Sequence, residues 1–481
     1  MSIGAGVGGN LLVSLLGAVV IAVITRNLGV ANYGIFLTSS NLVSIAMLVT
    51  DLGVNSIAGK EMAQDSSRAP EILGHNLGLR LGVSALAVPV VAISCQGMLP
   101  MKFSWGFWLM AMSIPFDALR IVAASSYIAS LRNYIPSFFA TLRQVLFVAG
   151  VGVDIWFRGG IAGCFTAFFI STAIAGIAAH LTAQIDVRYR VKVNLAEWLS
   201  ITRKSISLGI IQIINVLYLK ADILILSALS GDVAVSLYGV AYAFITFFAT
   251  IPSLVMTSMF GLLAKADDQE FARLVRSAIQ WMALLGAITC AGICSFGRAA
   301  LILYAGPQYA AAYHPLVILG FATYISFLNA AIGFASVARN AHKTFWKISL
   351  FSLFVNTGGN MIVIPKYGLT GAAMVTLGSE LIALALISRK FEALLELEPR
   401  LLLRSASPVA AAGISGTMIH FCSVNQAGRI AQLCVGAPLM CATFFVVLVV
   451  TKGCPEQMSN VLASTRTRVI RKLFYTPRAK H

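Results

Sequence analysis

The residues with chemistry to offer in this chain are ionisable side chains set inside long apolar runs. Asp117 and Arg120 are three apart, a spacing that puts both on one face of a helix. Lys220 and Asp222 are two apart, so they point toward different neighbours. Arg143, Glu380 and Asp51 each lie in a hydrophobic stretch, and Arg26 closes another. A charge at a helix centre in a bilayer costs about 2.5–3.5 kcal/mol by insertion scales, so it persists only where it is paired or lines a wet cavity. Cations in such places suit an anionic substrate, because a guanidinium holds phosphate oxygens with two parallel hydrogen bonds. Arg120, Arg143 and Lys220 are therefore candidate substrate-binding residues. Buried carboxylates bind protons near neutral pH, which makes Asp222 and Glu380 candidates for carrying a coupling H⁺ or Na⁺. Two bland roles stand beside these: Asp117 as the partner of Arg120, and Arg26 as an interfacial anchor.

Other constellations carry less. Gly53 to Lys60 has five residues between its glycine and Gly59-Lys60, and Glu61 stands where a phosphate loop needs Ser or Thr. No ATP site and no other cofactor is expected. The eight cysteines form no C-x-x-C pair. Cys290 and Cys294 are one turn apart without a nearby His or acid, so they read as packing and no metal site is expected. His180, His314 and His420 fall near span ends, where interface packing competes with a proton-relay role. Pro89, Pro115, Pro136, Pro252 and Pro408 sit within apolar runs and can bend them.

The elements that must position these residues follow from composition. The chain has 481 residues, 58% hydrophobic and 11% charged, with 35 Lys and Arg against 18 Asp and Glu. Soluble domains carry roughly 25% charged residues. A mean hydropathy of +0.85 excludes an ordinary soluble or disordered protein. The net charge of +17 does not imply nucleic acid, since few soluble segments exist to present it. The expected fold class is all-α and polytopic, with about 14 transmembrane helices of roughly 20 residues each. Spans are expected near 9–25, 34–58, 77–97, 104–126, 134–154, 160–183, 206–229, 233–257, 277–296, 315–337, 345–364, 369–388, 406–423 and 430–451. The first run, Leu11 to Thr25, lacks a basic leader and a cleavage site, so it reads as a retained span.

Orientation follows from the Lys and Arg bias. With a cytoplasmic N-terminus, 27 of the 35 basic residues, Arg80 and Arg143 among them, fall to the inner side. Six fall to the outer side, and Arg120 and Lys220 remain inside spans. Both termini are expected to be cytoplasmic. Two inward stretches, Arg188 to Lys204 with Trp198 and Val461 to Phe474, mix basic and apolar residues. Such stretches can lie on the inner leaflet or be plain positive-inside loops.

An internal repeat is present. Tyr33-Gly34 recurs as Tyr238-Gly239, and Lys60 recurs as Lys265, both at an offset of 205. Arg132-Asn133 recurs as Arg339-Asn340, and Gly160 to Gly163 recurs as Gly368 to Gly371, at offsets of 207 and 208. This divides the chain into two pseudo-symmetric six-helix lobes, 1–185 and 206–390, joined by a cytoplasmic linker, 186–205. A second linker (391–405), helices 13 and 14 (406–451) and a basic tail (452–481) follow. An even number of spans per copy gives parallel repeats, a transporter architecture with substrate at the repeat interface.

The residues also resemble a family. Arg26-Asn27-Leu28-Gly29, Tyr33-Gly34 and Asp51-Leu52-Gly53 look like the opening of the polysaccharide and O-antigen (Wzx-type) flippases. Ala221 to Leu226 with Leu237 to Tyr242 is similar to their seventh and eighth spans, and Asn360 to Ala373 to their span 11–12 hairpin. That family belongs to the multidrug/oligosaccharidyl-lipid/polysaccharide exporter superfamily. The resemblance covers roughly residues 1–400. It implies a bacterial inner-membrane flippase, not an enzyme, working by alternating access. Its substrate would be an undecaprenyl-diphosphate-linked oligosaccharide for O-antigen, capsule or exopolysaccharide export. Implied partners are membrane lipids, a polysaccharide polymerase and export machinery. It also implies that spans 1, 2, 7 and 8 border the cavity, which adds Arg26, Asp51, Lys220 and Asp222.

Two rival functions remain at this level. A drug/cation antiporter of the same superfamily would prefer an acidic cavity, whereas acids and cations here roughly balance. A polytopic polymerase or glycosyltransferase would want acids in an early outward loop, and Arg26 to Tyr33 has none.

Overall fold

The computed structural model of the chain describes residues 2–100, 103–130, 132–339 and 342–395. The part of the second linker beyond Leu395, helices 13 and 14 and the basic tail lie outside the described residues. Among the described residues the chain is helical throughout, with no strand. The helices are α1 (Ser2–Leu28), α2 (Val30–Val49), α3 (Val54–Gln64), α4 (Ala69–Met98), α5 (Ser104–Ala111) and α6 (Ser113–Ala129). They continue with α7 (Tyr134–Phe157), α8 (Ile161–Asp186), α9 (Leu195–Lys265), α10 (Asp268–Ala305), α11 (Tyr313–Ala338) and α12 (His342–Leu395). Nine of the described stretches are long and apolar enough to cross a bilayer, and Leu12–Leu28 is a shorter apolar helix. The protein is a multi-pass membrane protein.

Glycines set the breaks between expected spans. Gly29 separates α1 from α2 at φ 75°, ψ 167°. Gly231 divides α9 at φ 78°, ψ 177°. The two stand four and seven residues before the repeated Tyr-Gly pairs and share a conformation that a side chain makes costly. Gly160 before α8 (φ 71°, ψ −144°) and Gly368 within α12 (φ 53°, ψ −134°) form a second such pair. The repeat is thus written into backbone geometry as well as residue type.

The helices group into two compact units. The first comprises Met1–Phe244, Leu301–Pro315 and Ser349–Val375; the second comprises Ile245–Ala300, Leu316–Ile348 and the described residues from Thr376 onward. The first unit has a core of Leu73, Leu77, Val122, Tyr127, Phe139 and Ala179. The second is built on Met256, Phe271, Ile279, Met282, Phe327 and Ile332.

Within the first unit the repeated Tyr-Gly pairs serve close packing. Tyr33 and Tyr238 are both fully buried. Gly34 lies against the backbone of α9, where a Cβ would stand 1.9 Å from the Asp232 carbonyl oxygen, and Gly239 lies against Leu37 of α2. In a bilayer, where apolar surface alone gives little preference between lipid and protein, such backbone approach is a main source of helix association.

The linker 186–205 is only partly a loop. Residues 187–194 are non-helical, and α9 begins at Leu195 and continues unbroken into the following span. Trp198 packs over Gly82 of α4, whose added Cβ would meet the indole at 3.3 Å.

Gly34→Ala should force α2 and α9 apart. The expected loss is on the order of 1–3 kcal/mol, read as a lower melting temperature of the full chain in detergent. Gly59→Ala, where an added Cβ has nothing within 4 Å, should leave that temperature undiminished.

Candidate functional site

The site grows from a break between α2 and α3. Leu52 (φ 45°) and Gly53 (φ 74°) are both left-handed, which turns the chain at Asp51. The turn seats against α9: a Cβ on Gly53 would meet the Gly209 nitrogen at 2.8 Å. Asp51 Oδ1 accepts from Arg80 Nη1 at 2.8 Å and from the Asn55 N–H at 3.2 Å. Arg80 is wholly buried, and its Nε and Nη2 have no hydrogen-bond partner.

Arg80 lies deeper in its helix than the expected span places it. It is the twelfth residue of a 30-residue helix that begins at Ala69, whereas a span starting at 77 puts it in the first turn. Arg143 likewise lies within α7. Two of the basic residues assigned to the inner side are therefore embedded in helices.

The second ion pair is local. Asp117 on α6 is buried, and its Oδ1 accepts from Arg120 Nε at 2.9 Å and Nη2 at 2.7 Å. The i, i+3 spacing on one helix makes this geometry available without any tertiary contact. Arg143 on α7 is half-buried and lies in the field of Asp117 and Arg120. It makes no hydrogen bond or ion pair among the described residues, and its Nε is buried without a partner. On α9, Lys220 Nζ donates to Asn41 Oδ1 of α2.

These groups share one cavity in the first unit. It measures about 540 Å³ and is lined by Asp51, Asp117, Arg120, Arg143 and Lys220, among others. Part of its wall is aromatic. Phe36 stands 6.0 Å from Phe147 and 6.4 Å from Phe168 between ring centroids, and all three face the cavity. Asp51 is neutralised by Arg80 and Asp117 by Arg120, so Arg143 and Lys220 leave the site with an excess of positive charge.

The other three sequence candidates lie elsewhere. Arg26 donates to the carbonyls of Leu303 and Tyr304, in the last turn of α10, where a cation satisfies carbonyls that the helix leaves unbonded. Asp222 is buried, accepting from Tyr238 Oη at 2.6 Å and from the Ile223 N–H at 2.8 Å. Glu380, in the second unit, accepts from Asn329 Nδ2 at 2.7 Å. Among the described residues no group of three or more His, Cys, Asp or Glu could hold a metal ion.

Sequence reasoning missed Arg80, Asn41 and the aromatic wall. A signal for Arg80 existed: an acid inside a span demands a counter-charge, and Arg80 is the one basic residue in the apolar run from Ala69 to Met98.

Solved structures place this fold in a class. The lipid II flippase MurJ, in an inward closed conformation, matches with a TM-score of 0.75, covering 92% of this chain and 98% of that one at 12% identity. An inward-facing MATE multidrug resistance transporter of the MOP superfamily matches at 0.61, covering 80% and 95% at 13% identity. A MOP superfamily transporter from Pyrococcus furiosus, described as having a binding pocket of reverse polarity, matches at 0.54, covering 83% and 96% at 14% identity. The chain has the fold of the multidrug/oligosaccharidyl-lipid/polysaccharide (MOP) transporters. The polysaccharide biosynthesis protein family matches residues 2–266, more than half the chain, and this protein belongs to that family. The capsular polysaccharide biosynthesis protein CapF of Staphylococcus aureus is 26% identical over 211 residues, 43% of this chain. That match spans 53% of the CapF length.

Removing one partner of a buried ion pair costs about 3–5 kcal/mol, because a charge is left uncompensated. Asp51→Asn should therefore lower the melting temperature and folded yield of the full chain. The double variant Asp51→Leu/Arg80→Met, which removes both charges, should recover most of the loss in the same measurement.

Proposed function

We propose that this protein is a flippase carrying a lipid-linked oligosaccharide, with an undecaprenyl-diphosphate headgroup, across the bacterial inner membrane by alternating access. The product would serve O-antigen, capsule or exopolysaccharide export. The observation that carries this reading is the uncommitted Arg143 guanidinium beside Lys220, in a cavity whose two acids already have cationic partners. A diphosphate offers oxygens for the bidentate hydrogen bonds that a free guanidinium makes. The aromatic wall of Phe36, Phe147 and Phe168 suits the apolar faces of sugar or isoprenoid. Membership of the polysaccharide biosynthesis family supports the same substrate class.

A drug/cation antiporter shares the fold, so fold does not separate the two functions. The cavity charge does, because a cationic drug would meet Arg143 and Lys220. Both termini lie in the cytoplasm on this reading. No cofactor is needed. Coupling to H⁺ or Na⁺ falls to Asp222, which is buried, and Glu380, which is half-buried. A polymerase and export machinery would take over the translocated substrate.

Deletion of the gene should cause a lipid-linked oligosaccharide to accumulate on the cytoplasmic leaflet. Drug sensitivity without accumulation would sink the flippase reading. Arg143→Gln and Lys220→Gln should each lower export by about 10- to 100-fold, the equivalent of one charge-assisted hydrogen bond, with membrane insertion unchanged. Export at the wild-type rate in both variants would remove the cavity from the mechanism.

A further inference from the structure

The non-helical strap between α8 and α9 builds a second cationic site, separate from the transport cavity. Residues 187–194 leave α8 in an extended conformation at Val187 (φ −136°, ψ 111°). They are held on both sides. Gln184 clamps the Tyr189 backbone, donating to its carbonyl at 2.6 Å and accepting from its N–H at 3.1 Å. The Tyr189 hydroxyl meets His180 Nδ1 at 3.0 Å, and Tyr189 is buried. Further along, the Lys192 N–H donates to the Gly74 carbonyl of α4 at 3.0 Å. Gly74 and Gly78 let the strap approach: a Cβ there would stand 2.5 Å from the Arg190 carbonyl oxygen and 2.2 Å from that of Lys192.

This anchoring fixes the alternate residues Arg188, Arg190 and Lys192 in one recess of about 680 Å³, which Arg68, at the start of α4, also lines. Glu71 is the one acid lining it, and it pairs with Arg68 at 3.5 Å. Three cations are thus left without a counter-charge among the lining residues, on a backbone that cannot swing away.

The recess lies where α8 ends and α4 begins, at the ends of two stretches long and apolar enough to cross a bilayer. Around it stand exposed apolar side chains. Ile185 is 82% exposed, and Val193 and Leu195 are each 78% exposed. Concave positive charge beside exposed aliphatic surface matches a molecule with a phosphate at one end and acyl chains at the other. A soluble anion would use the charge and leave the aliphatic residues in water. We infer that Arg188, Arg190 and Lys192 bind the headgroup of an anionic phospholipid of the inner leaflet, with Ile185, Val193 and Leu195 against its acyl chains. The headgroup thereby pins the strap that joins α8 to α9. A basic side chain near an anionic lipid surface contributes about 1 kcal/mol, or about fivefold in affinity.

The test is native mass spectrometry of the full chain in detergent, titrated with phosphatidylglycerol or with phosphatidylcholine of the same acyl chains. Wild type should retain phosphatidylglycerol and not phosphatidylcholine. Arg188→Gln/Arg190→Gln/Lys192→Gln should weaken phosphatidylglycerol binding on the order of 100-fold, and Arg190→Gln alone about fivefold, which keeps the test informative if the triple variant loses its fold. Arg188→Lys/Arg190→Lys should bind as wild type does. Arg143→Gln should also bind normally, which separates this site from the transport cavity and its proposed substrate. Undiminished binding in both Gln variants, equal retention of phosphatidylcholine, displacement of the lipid by excess inorganic phosphate, or loss of binding in Arg143→Gln would each overturn the assignment.

Discussion

A charge inside a bilayer needs a counter-charge or water, and among the described residues the ion pair of Asp51 and Arg80 is the most buried answer to that requirement. Arg80 is fully buried on α4, and its single partner comes from the α2–α3 break. The pair ties the break to α4, while Gly53 and Gly209 seat the same break on α9. One turn that borders the cavity through Asp51 thereby holds α4 and the cavity-lining α9 together. An ion pair of this kind adds little net stability, because both charges are desolvated. What it adds is register, since no neighbouring position on α4 offers a cation to Asp51.

The cavity inherits its sign from how the remaining charges are matched. Asp117 is satisfied within its own helix by Arg120. Arg143 has no such partner, and Lys220 is held by the neutral side chain of Asn41. Positive charge is thus left facing a space with an aromatic wall. The same chemistry in the strap, with cations on an anchored backbone, faces outward beside exposed aliphatic residues. One molecule thus presents two cationic recesses with different surroundings, one with an aromatic wall and one with exposed aliphatic residues next to it in sequence.

Much of the architecture was legible in the residues. The apolar runs, most breaks between spans and the repeat follow from composition and spacing, and glycines with matching φ and ψ fall at or near the repeated motifs. Part of the site was legible too, since cations and acids inside apolar runs are few and stand out. Arg120 and Asp117 were readable because their pairing is local. The depth of Arg80 was not legible, because the apolar run reads as starting at 77, eight residues after the helix begins at Ala69, which puts a wholly buried arginine in the first turn. Arg26 was drawn to the cavity by its neighbours in sequence, although its guanidinium caps α10.

The sequence by itself determined that the chain is a helical membrane protein, most places where one span gives way to the next, and which charges lie within apolar runs. Those depend on local hydrophobicity and on the conformations that glycine alone adopts easily. Only the tertiary structure decided which charges neutralise each other and which remain. Pairing depends on distances between helices far apart in sequence, as between Asp51 and Arg80, or Lys220 and Asn41. Charge within a span announces a site, but only packing leaves Arg143 and Lys220 to make it cationic.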